Sequence, residues 1–273
     1  MEQVINPNQA LWEKGDFTRI AAYMRGSGES VVKALGVKPP LKALDLGCGD
    51  GTTALPLAQM GADVTGIDIA RNLVAAGNQR ARDAGLTNLR FLHGDADEMQ
   101  GIPDATFDLV LSMFGAMFAP RPFDVAREMV RVTKPGGRIV MGNWIPNDPT
   151  SFVSQLLKIS SSYSPPPPEG FVSPMLWGVD THITERFGKA GIPATSIRMS
   201  KETYLFEGPG TSESYIDMFI QYYGPTMNAH SAAQANGKEQ QLRDELVALA
   251  RSFNKSPDAI TTPATFMQVT VAR

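Results

Sequence analysis

The run Leu44-Asp45-Leu46-Gly47-Cys48-Gly49-Asp50-Gly51 constrains this chain more than any other. A short apolar strand ends in an acid, three glycines follow at alternate positions, and a helix is expected to open at Thr52. Glycine takes positive φ without steric cost and lets a backbone come close to a ligand. The helix start behind the turn offers unpaired N–H groups to an anionic or polar ligand. The spacing is G-x-G-x-G, unlike the G-x-G-x-x-G of dinucleotide binders, which weakens a nicotinamide or flavin reading. A glycine turn that only links strand to helix is the plain alternative, and the neighbouring strands decide between the two.

Gly61–Ile69 reads as a second strand ending at Asp68, 23 positions after Asp45. That is near the ~20-residue offset at which nucleoside-binding βαβ units place a ribose-binding carboxylate. An ionised carboxylate accepts from both hydroxyls of an unphosphorylated ribose and would repel a 2′-phosphate. A third strand, Leu89–His93, leads into Gly94-Asp95-Ala96-Asp97. A fourth, Phe107–Met113, precedes a helix near Asp124–Val132, and a tight Lys134–Gly137 turn opens a fifth, Arg138–Asn143. Alternation of strand and helix over residues 41–145 predicts a parallel, doubly wound α/β sheet with its ligand beyond the strands' carboxyl ends.

The flanks are read by pattern. Residues 1–40 are expected to be helical and to stop at Pro39-Pro40 before the core, residues 41–145. Residues 146–190 carry seven prolines, including the run Pro165–Pro168, and are read as a lid insertion ending in a helix near Asp180–Phe187. Residues 191–273 complete the sheet, with a sixth strand over Thr195–Glu207 and a last strand over Thr265–Arg273. Between them a second helical insertion spans about 208–260, expected as two helices. One carries the apolar stripe Leu242, Leu246, Leu249, Phe253.

Composition removes whole classes. A formal charge of −3 and the lack of any Lys/Arg run argue against a nucleic-acid partner. One cysteine and three histidines leave no disulfide and no Cys/His metal cluster. The start MEQVINPNQ lacks the pattern of a secretory leader, and no apolar stretch reaches the ~18 residues of a membrane span, so a cytoplasmic location is expected.

Five segments, LDLGCGDG at 44–51, GIDI at 66–69, GDAD at 94–97, FDLVLSMF at 107–114 and VTKPGGRIV at 132–140, stand in one order and spacing. With them the chain resembles the class I S-adenosylmethionine-dependent methyltransferases, in the broad group that includes the ubiquinone/menaquinone C-methyltransferases. The resemblance covers about residues 10–145. It implies a Rossmann-like sheet of seven mostly parallel strands, the last antiparallel between the fifth and sixth, with an inserted helical cap. It implies S-adenosyl-L-methionine as cofactor and S-adenosyl-L-homocysteine as product.

The same resemblance assigns expected roles. The backbone of Gly47, Cys48 and Gly49 lies against the methionine and ribose portion, Asp68 holds the ribose hydroxyls and Ile69 packs on the adenine. Asp95 accepts from the adenine amino group and the Ala96 N–H donates to a ring nitrogen. Ser112 and Met113 line the methyl-donor end, Asp45 orients the glycine loop or meets the ammonium group, and Trp12 covers the amino-acid end. Cys48 sits in a turn that requires a small side chain, so no nucleophile is read there.

On the substrate side the aromatics Trp144, Tyr163, Phe171, Trp177, Tyr222 and Tyr223 are candidate pocket walls, suited to a flat apolar substrate. His182, His230, Tyr222 and Tyr223 are the candidates for a catalytic base; no dyad is visible, and methyl transfer needs a base only when the acceptor must lose a proton. The expected activity is methyl transfer to a small apolar or aromatic metabolite. The alternatives are an RNA or protein methyltransferase, disfavoured because Ser112-Met113-Phe114-Gly115 stands where amine- and amide-methylating enzymes carry Asn-Pro-Pro-Tyr/Phe, and a non-catalytic nucleoside-binding module.

Overall fold

The structure, a computed structural model, describes residues 7–273. The stretch 1–6 of the expected N-terminal helical segment and of the leader reading lies outside them. Three helices open the described chain: α1 (Pro7–Glu13), α2 (Thr18–Ala22) and α3 (Arg25–Ala34). The first half of the core comes next as β1 (Lys42–Leu46), α4 (Ala54–Gln59), β2 (Asp63–Asp68), α5 (Arg71–Asp83) and β3 (Leu89–His93). Then come β4 (Phe107–Met113), α6 (Pro122–Val132), β5 (Thr133–Trp144), α7 (Phe152–Tyr163) and α8 (Asp180–Lys189). The last elements are β6 (Ile197–Pro209), α9 (Ser212–Tyr222), α10 (Gly224–Ala235), α11 (Glu239–Phe253) and β7 (Ala259–Ala272).

The seven strands form one sheet in the order β3-β2-β1-β4-β5-β7-β6. All neighbours pair in parallel up to β5, and β7 runs antiparallel between β5 and β6. Strands β1 and β4 are buried almost end to end, the pattern of strands covered on both faces. Alternation then sorts β4 into two apolar layers, Leu109 and Leu111 in one and Val110 in the other.

Four departures from the expected organisation exceed a shift of two residues. Strand β5 begins at Thr133, because the Lys134–Gly137 turn bulges out within it: Phe107 pairs with Thr133 and Leu109 with Arg138. The second insertion, about 208–260, holds three helices, α9, α10 and α11, because Gly224-Pro225 breaks the chain after Tyr223 and restarts it. Strand β7 starts at Ala259, six residues before Thr265. The Asn254 amide turns the chain there, donating to the Ser256 and Ala259 carbonyls and accepting from the Thr261 N–H. The 146–190 segment divides: α7 packs on α10 and α11, whereas α8 packs on α6. The prolines between them, Pro165–Pro168, are exposed.

The early start of β7 shapes the molecule. The β5–β7 pairing ends at Trp144 and Phe266, but the β6–β7 pairing continues to Pro209 and Ala259. This hairpin arm rises past the carboxyl end of β5, where Pro263 is tolerated because β7 has lost a neighbour on one side. The outer edge of β6 is tied to the N-terminal helices. Ser27 Oγ donates to the Leu205 carbonyl and accepts its N–H, and the Glu207 N–H donates to the Tyr23 carbonyl. Among the described residues, no helix is long and apolar enough to cross a membrane.

Candidate active site

A cavity open to solvent, with about 1080 Å³ of empty space including the solvent at its mouth, lies over the carboxyl ends of β1, β2 and β4. Its floor is the glycine turn. Gly47 and Gly49 have φ of +66° and +54°, and the N–H groups of Gly47 and Cys48 both donate to the Ile67 carbonyl at 2.8 and 3.1 Å. Gly47 also meets Gly115 backbone to backbone: a Cβ on Gly115 would stand 2.2 Å from the Gly47 carbonyl oxygen.

Asp68 is the carboxylate in this floor. Its Oδ2 accepts from the Gly49 N–H at 2.8 Å and its Oδ1 from the Ala70 N–H at 2.9 Å. Burial raises its pKa, and the two N–H donors oppose that rise. A carboxylate offers about four acceptor sites, so two N–H bonds leave capacity for two more donors.

Asp50 was not singled out from sequence. It is buried, its carboxylate is clasped by Arg25 of α3, and its carbonyl accepts from Arg80 of α5 at 2.6 Å. The turn is thus pinned from two helices.

Ile69, Asp95, Ala96, Met113, Trp12 and Cys48 also line the cavity. Asp95 accepts from the Asp97 N–H, and Asp97 is held by both arms of Arg121 at 2.8 and 2.9 Å. Burial, and after it the Asp97 charge, raises the Asp95 pKa. Burial likewise pushes the Cys48 thiol up, which keeps it protonated.

Beyond the floor the wall is aromatic. Phe114, held at φ +65°, lies flat on Trp144 with centroids 3.7 Å apart and rings 2° from parallel. Tyr204 and Phe206 reach the cavity from the hairpin arm, and Phe219 and Tyr223 from α9 and its end. Sequence reasoning passed over Tyr204 and Phe206; the signal was their i, i+2 spacing, which puts both on one face of β6. It also passed over Phe114, the last residue of FDLVLSMF.

Several expected site residues lie elsewhere. Ser112 is buried behind the wall: its hydroxyl donates to the Leu46 carbonyl at 2.6 Å and accepts the Ala116 N–H at 3.0 Å, joining β1 to the turn after β4. Asp45 does not line the cavity either. It accepts from the Thr53 hydroxyl at 2.6 Å, bracing the helix behind the turn, and desolvation raises its pKa to about 7.

Of the candidate walls, Trp144 and Tyr223 line the cavity and four do not. Tyr163 donates to Glu245, Phe171 is 55% exposed, Trp177 is fully buried between Phe187 and Arg186, and Tyr222 lies under Arg19. His182 sits on α8, which packs on α6, and His230 on α10; neither lines the cavity.

These residues fit the cofactor that the motifs imply. The floor offers an oriented carboxylate with spare acceptor capacity, and a Cβ on Gly49 would meet no protein atom within 4 Å, so the turn faces open space. The residues that would hold S-adenosylmethionine are Gly47 to Gly49, Asp68, Ile69, Asp95 and Ala96, all of which line the cavity.

Residues 44–141 match the family model of a methyltransferase domain. An uncharacterised protein of Mycobacterium tuberculosis is 31% identical over 250 residues, covering 90% of this chain and 88% of that protein. The demethylmenaquinone methyltransferase of Bacillus subtilis is 35% identical over 115 residues, 41% of this chain and 49% of that enzyme. The phosphoethanolamine N-methyltransferase 2 of Haemonchus contortus, solved with S-adenosyl-L-methionine, covers 99% of this chain and 60% of that one at a TM-score of 0.61 and 15% identity. The methyltransferase solved with the Trm112 activator of Haloferax volcanii covers 99% of both chains at 0.60 and 19% identity. By its relatives, its sheet and its glycine floor, the chain belongs to the class I S-adenosylmethionine-dependent methyltransferases.

Proposed function

We propose that this chain methylates a small apolar or aromatic molecule, with Asp68 and the glycine turn holding the cofactor and the aromatic chamber holding the acceptor. The observation that carries the reading is the continuity of the cavity. One face is the Gly47–Gly49 turn and Asp68; the other is the Phe114–Trp144 stack, roofed by Trp12, Tyr204 and Tyr223. A roof built from α1, α9 and the hairpin arm suits a ligand that enters whole better than a polymer that must thread through.

When bound, S-adenosylmethionine would supply an electrophilic methyl carbon, to which the acceptor bonds in line while the carbon–sulfur bond breaks and S-adenosylhomocysteine leaves. The chain's own contribution is placement. Asp68 accepts from the ribose hydroxyls, Asp95 and the Ala96 N–H read the adenine, and the aromatic walls exclude water and fix the acceptor's plane. Orientation of this kind is worth up to roughly 7–11 kcal/mol in the best intramolecular cases. No histidine or lysine is among the described lining residues, and burial holds the Tyr223 phenol above its ordinary pKa, so the reading assigns no side chain of the aromatic chamber as a base.

The test separates an extract by size. Methyl-labelled cofactor and the protein are incubated with the filtrate of small molecules or with the dialysed macromolecules. Label transferred in the filtrate is the expected result; transfer only into the macromolecular fraction overturns the substrate class.

A further inference from the structure

Tyr223 ends α9 with its ring 4% exposed, edged by Phe219 at 5.4 Å and flanked by Trp12 and Phe17 at 6.0 and 6.1 Å. The ring lines the cavity, and its backbone N–H is used by the Phe219 carbonyl. Its hydroxyl makes no hydrogen bond to any described residue. Tyr204, in the same cavity, donates to the Met24 carbonyl. The hydroxyl is open to the cavity, so a ligand that shuts it off from solvent must itself supply the acceptor or leave the O–H unpaired, which is costly.

The charges around it narrow that ligand. The described lining includes the acids Asp50, Asp68 and Asp95 but no lysine, arginine or histidine. An anionic ligand would therefore find no counter-charge and would lie near carboxylates. A cationic acceptor would sit next to the cofactor's own positive sulfonium. Burial raises the Tyr223 pKa, so near neutral pH the phenol is a donor and not a base.

We infer that the acceptor compartment selects an uncharged planar ring compound carrying a hydrogen-bond acceptor such as a carbonyl, and that the Tyr223 hydroxyl is the group that selects it. The inference rests on the proposed small-molecule activity and names the substrate class of the same site.

The experiment measures binding of four probes by calorimetry to the full chain saturated with S-adenosylhomocysteine. They are 2-acetylnaphthalene, its hydrocarbon isostere 2-isopropenylnaphthalene, 2-naphthoate and 2-naphthylmethylammonium. The ketone should bind about tenfold tighter than the hydrocarbon, the worth of one hydrogen bond. Tyr223→Phe should erase that difference while leaving the hydrocarbon's affinity within about twofold, a pattern that a merely structural tyrosine would not give. 2-Naphthoate should bind more weakly than the hydrocarbon, and 2-naphthylmethylammonium should do so once S-adenosylmethionine, which carries the sulfonium, replaces S-adenosylhomocysteine. A ketone preference that is missing, or that survives Tyr223→Phe, overturns the inference alone, as does an ion that matches the ketone under those conditions. Binding of S-adenosylhomocysteine with no binding of any ring overturns the inference together with the small-molecule reading.

Discussion

Asp68 holds the glycine turn and the start of α5 at once, through the N–H groups of Gly49 and Ala70. Removing its carboxylate should loosen the turn and cost two charged hydrogen bonds to the ribose, each worth about 1.5–3 kcal/mol. Asp68→Ala should therefore weaken S-adenosylhomocysteine binding by more than about a hundredfold in calorimetry; retained affinity would remove Asp68 from the cofactor site. Gly115→Ala drives a Cβ against the Gly47 carbonyl. Overpacking of this kind costs about 1–3 kcal/mol, so Tm should fall by roughly 5 °C and cofactor affinity with it. An unchanged Tm would show that the two turns can move apart.

Asp45 carries a signature in pH. Its pKa is about 7 in the fold, mainly from desolvation, against about 3.9 in an unfolded chain. The folded state therefore keeps the proton longer than the unfolded one, and this group's stabilisation is lost as pH rises from about 4 to about 7. Asp45→Asn keeps an acceptor for the Thr53 hydroxyl without the charge. The Tm of the wild type relative to Asp45→Asn should fall across that window; a difference that is flat with pH would contradict it.

At the scale of elements, the turn after β1 is rigid because helices on either side hold Asp50. Arg25 has a partly exposed side chain, and Arg80 remains when Arg25 is lost. Arg25→Ala should then cost about 1–2 kcal/mol in a thermal melt, below the 3–5 kcal/mol of an uncompensated buried charge. A loss at the higher figure would mean that Arg80 gives Asp50 no support.

The elements that sequence revealed were those with local causes. Strands β1 to β3 ended where an acid or a glycine stood, and the periodicity of Leu242, Leu246, Leu249 and Phe253 belongs to α11. The hairpin arm was not legible in the same way. Its length depends on the Asn254 side chain folding back on residues 256–261, and its edge is covered by Ser27, distant in sequence. The candidate site shows the same division. Acids and glycines at strand ends announce themselves, but an aromatic residue in an insertion reads alike whether it faces a cavity, as Tyr223 does, or a dry core, as Trp177 does. Ser112 misled for a related reason: its position at the end of β4 was correct, but strand alternation turns it behind the wall.

On the scale of the whole molecule, a sheet with a pinned glycine floor is joined to a roof drawn from both ends of the chain. Trp12 lies in the first helix and Tyr204 in the arm closed by the last strand. This arrangement makes the chain's three tryptophans informative, because Trp12 and Trp144 line the cavity and Trp177 does not. S-Adenosylhomocysteine should quench the intrinsic fluorescence. Trp177→Phe should leave the absolute quench unchanged, and Trp12→Phe should shrink it by roughly half, since two fluorophores line the site. A quench that disappears with Trp177 would place the ligand elsewhere.

The measurement that tests the division of the cavity most directly is a crystal structure of the chain with S-adenosylhomocysteine. The ribose hydroxyls should lie on the Asp68 carboxylate and the adenine beside Ile69 and Asp95, with the sulfur opening onto the chamber of Phe114, Trp144 and Tyr223. A nucleoside seated within the aromatic chamber, or a ribose away from Asp68, would contradict that division.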